Sequence, residues 1–223
     1  MHKKEEIESL VKKYNIDLDK LKKEQIKLSK SINIKDSINF DLSQRIAGID
    51  NIFFKNRIIS AVVVFSEGEI LEQEYSEDKI RFPYLSCFRA YRELPTMIEA
   101  FNKLDEKPDF VFIRGNGVLH PRGIGIASHF SLSVNVPTIG ITDSLLAGEI
   151  KGEDILLNNK IAGKVIQTKQ GARPIYVSPG NFISLNSAVN LVKRFTIPPH
   201  KIPEPLTLAR KYGKNVRKEL FNA

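Results

Sequence analysis

Three β-rich segments follow one another with only short turns between them, and this order restricts the possible folds more than any other feature. The segments 46–50 and 57–66 are rich in β-branched residues, and 69–76 alternates apolar with polar residues. Asn56 and Glu67-Gly68 supply the turns. Strands joined this closely pair with their sequence neighbours, so we predict an antiparallel meander.

The pattern then changes to alternating helices and strands. Pro95 stands where a first-turn proline is favoured, ahead of an apolar helical stripe over 97–104. Two apolar segments, 109–114 and 137–142, are predicted strands with a helix over roughly 122–134 between them. Two short β segments and two helices complete the chain. This order predicts an α/β fold with a ribonuclease H-like mixed sheet: an antiparallel meander plus parallel strands, with helices on both faces.

The chain contains no repeats and no low-complexity linker, so we predict a single domain over 1–223. Its first part, 1–40, is predicted to be a basic helical segment packed on this domain. In 17–32 the leucines recur at helical spacing and lysines surround them. Such a face could follow a phosphate backbone, although most lysine-rich faces are simply solvated.

The charge and the cysteine content limit which partners and which cellular compartment the sequence favours. Lysine and arginine number 34 against 26 acidic residues, giving a formal net charge of +8. This balance favours nucleic acid as a partner, with simple solubility as the alternative. The single cysteine, Cys87, excludes an intrachain disulfide framework, and no segment resembles a signal peptide or membrane span. We expect a cytoplasmic, monomeric protein without a membrane partner.

Two acidic residues fall where a sheet of this kind assembles a metal site. Asp50 lies on the first strand, which we expect to be central, and Glu93 precedes the helix after the third strand. Carboxylates that converge there could hold Mg²⁺, which takes hard oxygen ligands, for phosphodiester hydrolysis. The alternative is structural, with Asp50 paired to a basic residue and Glu93 capping the helix.

Six sequence blocks resemble endonuclease V in order and spacing, from about residue 17 to 212. They are IAGID, PYLSCFRAYRELP, KPDFVFIRGNGVLHPRGIGIASH, VPTIGIT, TKQGARPIYVSPG and RFTIPPHKIPEP. The resemblance implies a ribonuclease H-like fold and Mg²⁺-dependent cleavage of nucleic acid 3′ to deoxyinosine, or to inosine in RNA. The implied setting is repair of deaminated adenine, or RNA turnover.

Position by position, the resemblance implies roles for residues of this chain. Asp50 and Glu93 match metal-binding carboxylates, and Arg92 matches an arginine beside the second of them. Pro83 and Tyr84 match the start of a strand-separating wedge, whose tyrosine ring fills the space left by a flipped base. A tyrosine on such a loop is also suited to stacking on bases.

Four further candidates for nucleic-acid binding follow the strand 109–114. Gly115 and Gly117 are expected to let the backbone approach a base closely. His120 and Arg122 match the histidine and arginine of the family's HPR block.

The departures from the family pattern are concentrated at the predicted active site. Arg114 stands in place of the second metal-binding aspartate, and Asp143 in place of a lysine. Asn181 replaces a histidine, and Cys87 replaces a glycine beside the space for the extruded base. A guanidinium cannot ligate a cation. At about 4 Å and an effective dielectric near 20 it would repel Mg²⁺ by about 8 kcal/mol before screening.

Because the charges at 114 and 143 have exchanged places, we predict an ion pair between Arg114 and Asp143. Arg114 is also expected to face Asp50 or Glu93, standing in for the absent metal.

Three functions fit these observations. The favoured one is an endonuclease V-like nucleic-acid-binding protein, without a metal cofactor and nearly or wholly without cleavage, because three polar groups of the family's active site have changed type. The second is an active Mg²⁺-dependent endonuclease whose rearranged site uses Asp50, Glu93 and Asp143. The third is a protein-interaction scaffold.

Overall fold

The computed structural model describes residues 4–221, which form six α-helices and nine β-strands. The helices are α1 (Lys4–Lys13), α2 (Leu18–Ser29), α3 (Arg89–Phe101), α4 (Ile126–Val134), α5 (Leu185–Phe195) and α6 (Glu204–Phe221). The strands are β1 (Ile46–Phe54), β2 (Arg57–Ser66), β3 (Glu69–Lys79), β4 (Phe110–Arg114), β5 (Thr138–Thr142), β6 (Glu149–Lys151), β7 (Asp154–Leu157), β8 (Lys160–Ile166) and β9 (Ile175–Asn181). The predicted domain also includes 1–3 and 222–223, which lie outside the described residues.

The nine strands form one sheet in the order β3-β2-β1-β4-β5-β9-β8-β7-β6. β1, β2 and β3 make the predicted antiparallel meander, and β1, β4 and β5 are parallel. β9 then pairs antiparallel with β5, and β8, β7 and β6 extend the sheet. The predicted mixed sheet is present, and β1 is the middle strand of its first five.

Helices cover both faces of the sheet, as predicted. α3 and α4 bury one face over apolar side chains such as Ile49 and Ile113. α5 and α6 bury the opposite face over Phe112 and Ile139. Each such fully buried side chain contributes roughly 1.5–3 kcal/mol of hydrophobic stabilisation. The two buried layers hold the strand ends, and the side chains on them, in fixed relative positions.

The approach of α6 to β1 depends on Gly48. A Cβ at this position would lie 2.3 Å from the carbonyl carbon of Pro205, in the first turn of α6. Glycine therefore lets the helix lie directly against the strand. As a result Arg210 of α6 reaches Asp50 of β1, with 3.7 Å between its Nη1 and the carboxylate Oδ2.

The predicted starts of two helices are wrong. α3 begins at Arg89, so Pro95 lies inside it rather than in its first turn, and Glu93 lies within the helix rather than before it. Proline keeps a helical φ and removes only the bond to the carbonyl of Tyr91, which the burial of the apolar face offsets. α4 begins at Ile126, because the residues before it form a turn.

The N-terminal segment packs on the sheet partly through polar contacts. The Gln25 side chain of α2 is buried and donates to the carbonyl of Cys87 at 3.0 Å. Farther on, the Asn33 backbone N–H donates to Oδ1 of the fully buried Asn181 at 2.8 Å. Asn181 therefore ties the N-terminal segment to β9. Within residues 4–221 no helix has the length and apolar content to span a membrane.

Candidate active site and nucleic-acid interface

The predicted site residues meet at the carboxyl ends of the parallel strands. Asp50 lies on β1, Arg114 is the last residue of β4, and Asp143 follows β5 directly. Because parallel strands end at the same edge of a sheet, the three side chains come together although they are far apart in sequence.

The predicted ion pair between Arg114 and Asp143 is present. Lys201 contacts the other oxygen of the same carboxylate, with 2.8 Å between Nζ and Oδ1. Burial lowers the pKa of the Arg114 guanidinium, and the nearby Asp50 carboxylate opposes that change. Arg114 therefore forms an ion pair with Asp143 and interacts electrostatically with Asp50, as predicted from the sequence.

Asp50 is buried, with 5% of its surface exposed, and faces α6. Its Oδ1 accepts a hydrogen bond from the Asn51 N–H at 2.8 Å, whereas Oδ2 is buried without a hydrogen bond. Burial raises the pKa of this carboxyl group, and the nearby Arg210 guanidinium opposes the rise. The arginines therefore offset only part of the cost of burying the charged form of Asp50.

Glu93 is held by a different set of partners. It is 1% exposed, and Arg89, one turn earlier on α3, donates Nε to Oε1 and Nη2 to Oε2, both at 2.8 Å. Asn51 Nδ2 donates to Oε2, also at 2.8 Å. Since successive strand residues point to opposite faces, Asn51 faces α3 and Asp50 faces α6. Sequence reasoning missed Arg89, whose signal is its i, i+4 spacing from Glu93.

These side chains do not fit a magnesium site. Both oxygens of Glu93 already accept hydrogen bonds, and Arg114 stands beside Asp50. Mg²⁺ needs open oxygen donors in nearly octahedral geometry. Among residues 4–221, no group of three or more His, Cys, Asp or Glu side chains is placed to hold a metal ion. The metal role of Asp50 and Glu93 stays a prediction, and this donor set argues against it.

Residues 82–87, which we call the wedge loop, contain the predicted Pro83 and Tyr84. Pro83 is buried, whereas Tyr84 is 51% exposed. Arg92 fixes the first end of the loop, because its Nη1 donates to the carbonyl of Phe82 at 3.2 Å. The loop therefore presents an aromatic side chain from an anchored backbone.

The other end of the wedge loop is fixed through the carbonyl of Cys87. His120 Nε2 and Arg122 Nη2 both lie 3.1 Å from this oxygen, in addition to Gln25. Arg122 Nε also donates to the Gln25 side-chain oxygen at 2.5 Å. His120 and Arg122 therefore position the loop, and direct contact of either with nucleic acid stays a prediction. Cys87 has a φ of +68°, a left-handed conformation that favours glycine, the residue that the resemblance to endonuclease V implies there.

Gly115 and Gly117 pack tightly against other parts of the protein. A Cβ at Gly117 would lie 2.0 Å from the carbonyl oxygen of Pro179, and one at Gly115 would lie 2.3 Å from a side-chain carbon of Ile126. Their missing side chains therefore permit internal packing, which is one structural reason for glycine at both positions. Contact of their main-chain atoms with nucleic acid stays a prediction.

A cleft of about 530 Å³, including the solvent at its mouth, opens beside the wedge loop. The residues that line it include Tyr84, Cys87, Asn116 and His129. Asn116 Oδ1 and His129 Nδ1 are buried without hydrogen-bond partners. Two residues that line the cleft therefore each keep one polar atom that forms no internal hydrogen bond.

Two buried histidines near this cleft are neutral. His120 Nδ1 accepts the Arg122 N–H at 3.2 Å, so the ring proton lies on Nε2, which donates to Cys87. Burial, and then the Arg122 charge, lowers the pKa of His120 to about 4. Burial alone lowers the pKa of His129 to about 4.

We expect the protein to lose stability as the pH falls from about 6.5 towards about 4. Both folded pKa values lie below the ordinary histidine value, so the unfolded chain takes up protons first and is favoured. At about pH 5.5, each histidine lowers the free energy of unfolding by roughly 1 kcal/mol. Urea unfolding at neutral and acidic pH measures this. The His129 ring lies edge-on to Tyr91, with 5.8 Å between ring centroids. His129→Phe keeps a ring there and should remove about half of the pH dependence of stability; an unchanged dependence would contradict this prediction.

Comparison with known proteins identifies the family. The sequence model of the Endonuclease V family matches residues 26–211. The chain belongs to the Endonuclease V family. Endonuclease V of Thermosipho melanesiensis is 34% identical over 225 residues, covering 96% of this chain and 94% of that protein.

Solved structures of Endonuclease V confirm the predicted fold class. The Bacillus subtilis protein has a TM-score of 0.85 at 28% identity, covering 93% of this chain and 95% of that one. A Ciona intestinalis Endonuclease V variant, in complex with a 23mer DNA containing an inosine followed by a ribo-adenosine, has a TM-score of 0.82 at 25% identity. That match covers 91% of this chain and 98% of the other.

Proposed function

We propose that this member of the Endonuclease V family binds nucleic acid through the wedge loop and the adjoining cleft, and does not cleave it by metal-dependent hydrolysis. The main support is the guanidinium group placed against each candidate carboxylate. Arg114 binds Asp143, and Arg89 binds Glu93. Arg210 lies beside Asp50. An endonuclease needs these oxygens for its cation, and here they are occupied or opposed by cations of the protein.

Three features support binding. The formal net charge is +8, and Tyr84 is exposed on a loop anchored at both ends. A relative of the same fold is held in a complex with inosine-containing DNA. A basic surface supplies affinity for phosphates, and an exposed ring on a fixed loop supplies a stacking surface. We therefore propose single-stranded or locally opened DNA or RNA, including inosine-containing sites, as the ligand.

Labelled DNA and RNA oligonucleotides with and without inosine, incubated with Mg²⁺ or Mn²⁺, test the absence of cleavage. We expect fluorescence polarisation to report binding, and gels to show no product above a heat-killed control. Product would overturn the proposal in favour of a rearranged metal site that includes Asp143. Failure to bind any of the oligonucleotides would favour a protein-interaction scaffold.

Tyr84→Ala should weaken binding to single-stranded or distorted sites more than to intact duplex. Loss of one base-stacking ring costs about 1–3 kcal/mol, and an intact duplex offers no free base face to the ring. Polarisation titrations on matched oligonucleotides measure the difference, with Tyr84→Phe as the control that keeps the ring. An equal loss on both substrates would assign Tyr84 to the structure of the loop.

A further inference from the structure

Basic groups outnumber acidic ones at the carboxyl ends of the parallel strands. Among residues 4–221, ion pairs there join four positive side chains to three negative ones, which leaves a formal excess of one positive charge (four minus three). We call this set the basic cluster; its positive members are Arg89, Arg114, Lys201 and Arg210, and its negative members are Asp50, Glu93 and Asp143.

The internal ion pairs leave some hydrogen-bond donors of the basic cluster unused. Arg114 Nη1 is buried without a hydrogen-bond partner. The Arg210 side chain is 47% exposed, and its 3.7 Å approach to Asp50 is too long for a hydrogen bond. Lys201 and Arg114 share one carboxylate, that of Asp143, which is itself half exposed. Arg210 therefore remains available to an acceptor that arrives from solvent, and Arg114 keeps one buried donor without a hydrogen-bond partner.

The positive side chains of the basic cluster repel one another. The pKa of Lys201 is lowered by burial and then by the Arg114 and Arg173 charges. Burial is the largest cause of the lowered pKa of Arg114; Asp50 opposes it, and the Arg210 and Arg89 charges lower that pKa further. A bound anion would relieve this repulsion, whereas a bound cation would increase it.

We propose that the basic cluster is an anion site, in which Arg114, Arg210 and Lys201 bind a backbone phosphate of the nucleic acid directly. The inference rests on the proposed function and states how that function is achieved without a metal ion. A guanidinium presents parallel N–H donors that match two phosphate oxygens, and the lysine adds a point charge. Binding through these groups requires no divalent cation and persists in EDTA.

The salt dependence of binding distinguishes Arg210 from a merely structural residue. Arg210→Gln removes one phosphate contact, so we expect the slope of log Kd against log salt concentration to fall by about 0.7. Arg194→Gln is the matched control, because Arg194 is 52% exposed and lies near the β2–β3 turn at the opposite end of the sheet. Its slope should equal that of the wild type. All titrations use single-stranded DNA in EDTA.

A second measurement separates this inference from the proposed function. In EDTA at constant ionic strength, inorganic phosphate should raise the melting temperature of the wild type and of Arg194→Gln more than that of Arg210→Gln. If the wild type binds no oligonucleotide, the proposed function fails and this phosphate comparison alone decides the inference. Equal slopes in both variants, equal phosphate effects, or DNA binding that EDTA abolishes would each overturn the anion site.

Discussion

We expect Arg89→Ala to destabilise the fold by about 3–5 kcal/mol, a large part of the free energy of unfolding of a domain this size. Glu93 is 1% exposed, and two of its hydrogen bonds come from Arg89. Removal of the guanidinium leaves the buried Glu93 carboxylate with the hydrogen bond from Asn51 Nδ2. Urea unfolding followed by circular dichroism measures the loss.

The double variant Arg89→Ala with Glu93→Gln is the control for this prediction. It removes the guanidinium and the buried charge together, so it should be more stable than Arg89→Ala alone. If the double variant is no more stable than the single one, the loss comes from packing of the arginine side chain.

We expect Arg114→Ala to destabilise the protein by about 2–3 kcal/mol and to create a response to Mg²⁺. The substitution leaves Asp143 with Lys201 as its cationic partner, and it removes the charge that acts on Asp50. It also removes the repulsion of about 8 kcal/mol that a guanidinium would exert on a nearby divalent cation. Added Mg²⁺ should therefore raise the melting temperature of this variant more than that of the wild type.

Lys201→Ala is the matched control for the Mg²⁺ response. It removes the other cation bound to Asp143 but leaves Arg114 against Asp50, so its melting temperature should change with Mg²⁺ as little as that of the wild type. Strong Mg²⁺ stabilisation of the wild type would show that a cation site survives beside Arg114, and the proposed absence of metal-dependent cleavage would then lose its main support.

The sequence predicts the elements that have a strong local pattern. The meander follows from alternation and turn residues, and the buried strand 110–114 from its apolar run. β6 and β7 were not predicted, because they span only 149–151 and 154–157 and β6 is fully exposed. The antiparallel pairing of β9 with β5 was not predicted either, because no turn joins these strands and local sequence does not encode such a contact.

In the candidate site, too, some contacts could be predicted from the sequence and others depend on tertiary packing. The Arg114–Asp143 pair could be predicted, because both residues end neighbouring parallel strands and their charges are exchanged relative to the family. The contact of Arg210 with Asp50 could not, since it depends on how closely α6 packs against β1. The ion pair of Arg89 with Glu93 was not predicted, because Pro95 suggested that α3 starts after both residues.

The anchoring of the wedge loop at Phe82 and Cys87 has a consequence for how sites on a nucleic acid are found. In the proposed binding mode the loop is ordered before the ligand arrives, so insertion of Tyr84 carries little entropic cost from the chain. The free-energy cost then lies mainly in unstacking the bases. Mismatched, damaged or single-stranded sites open most easily, so the proposed binding mode would favour sites of low local helix stability and would need no loop closure.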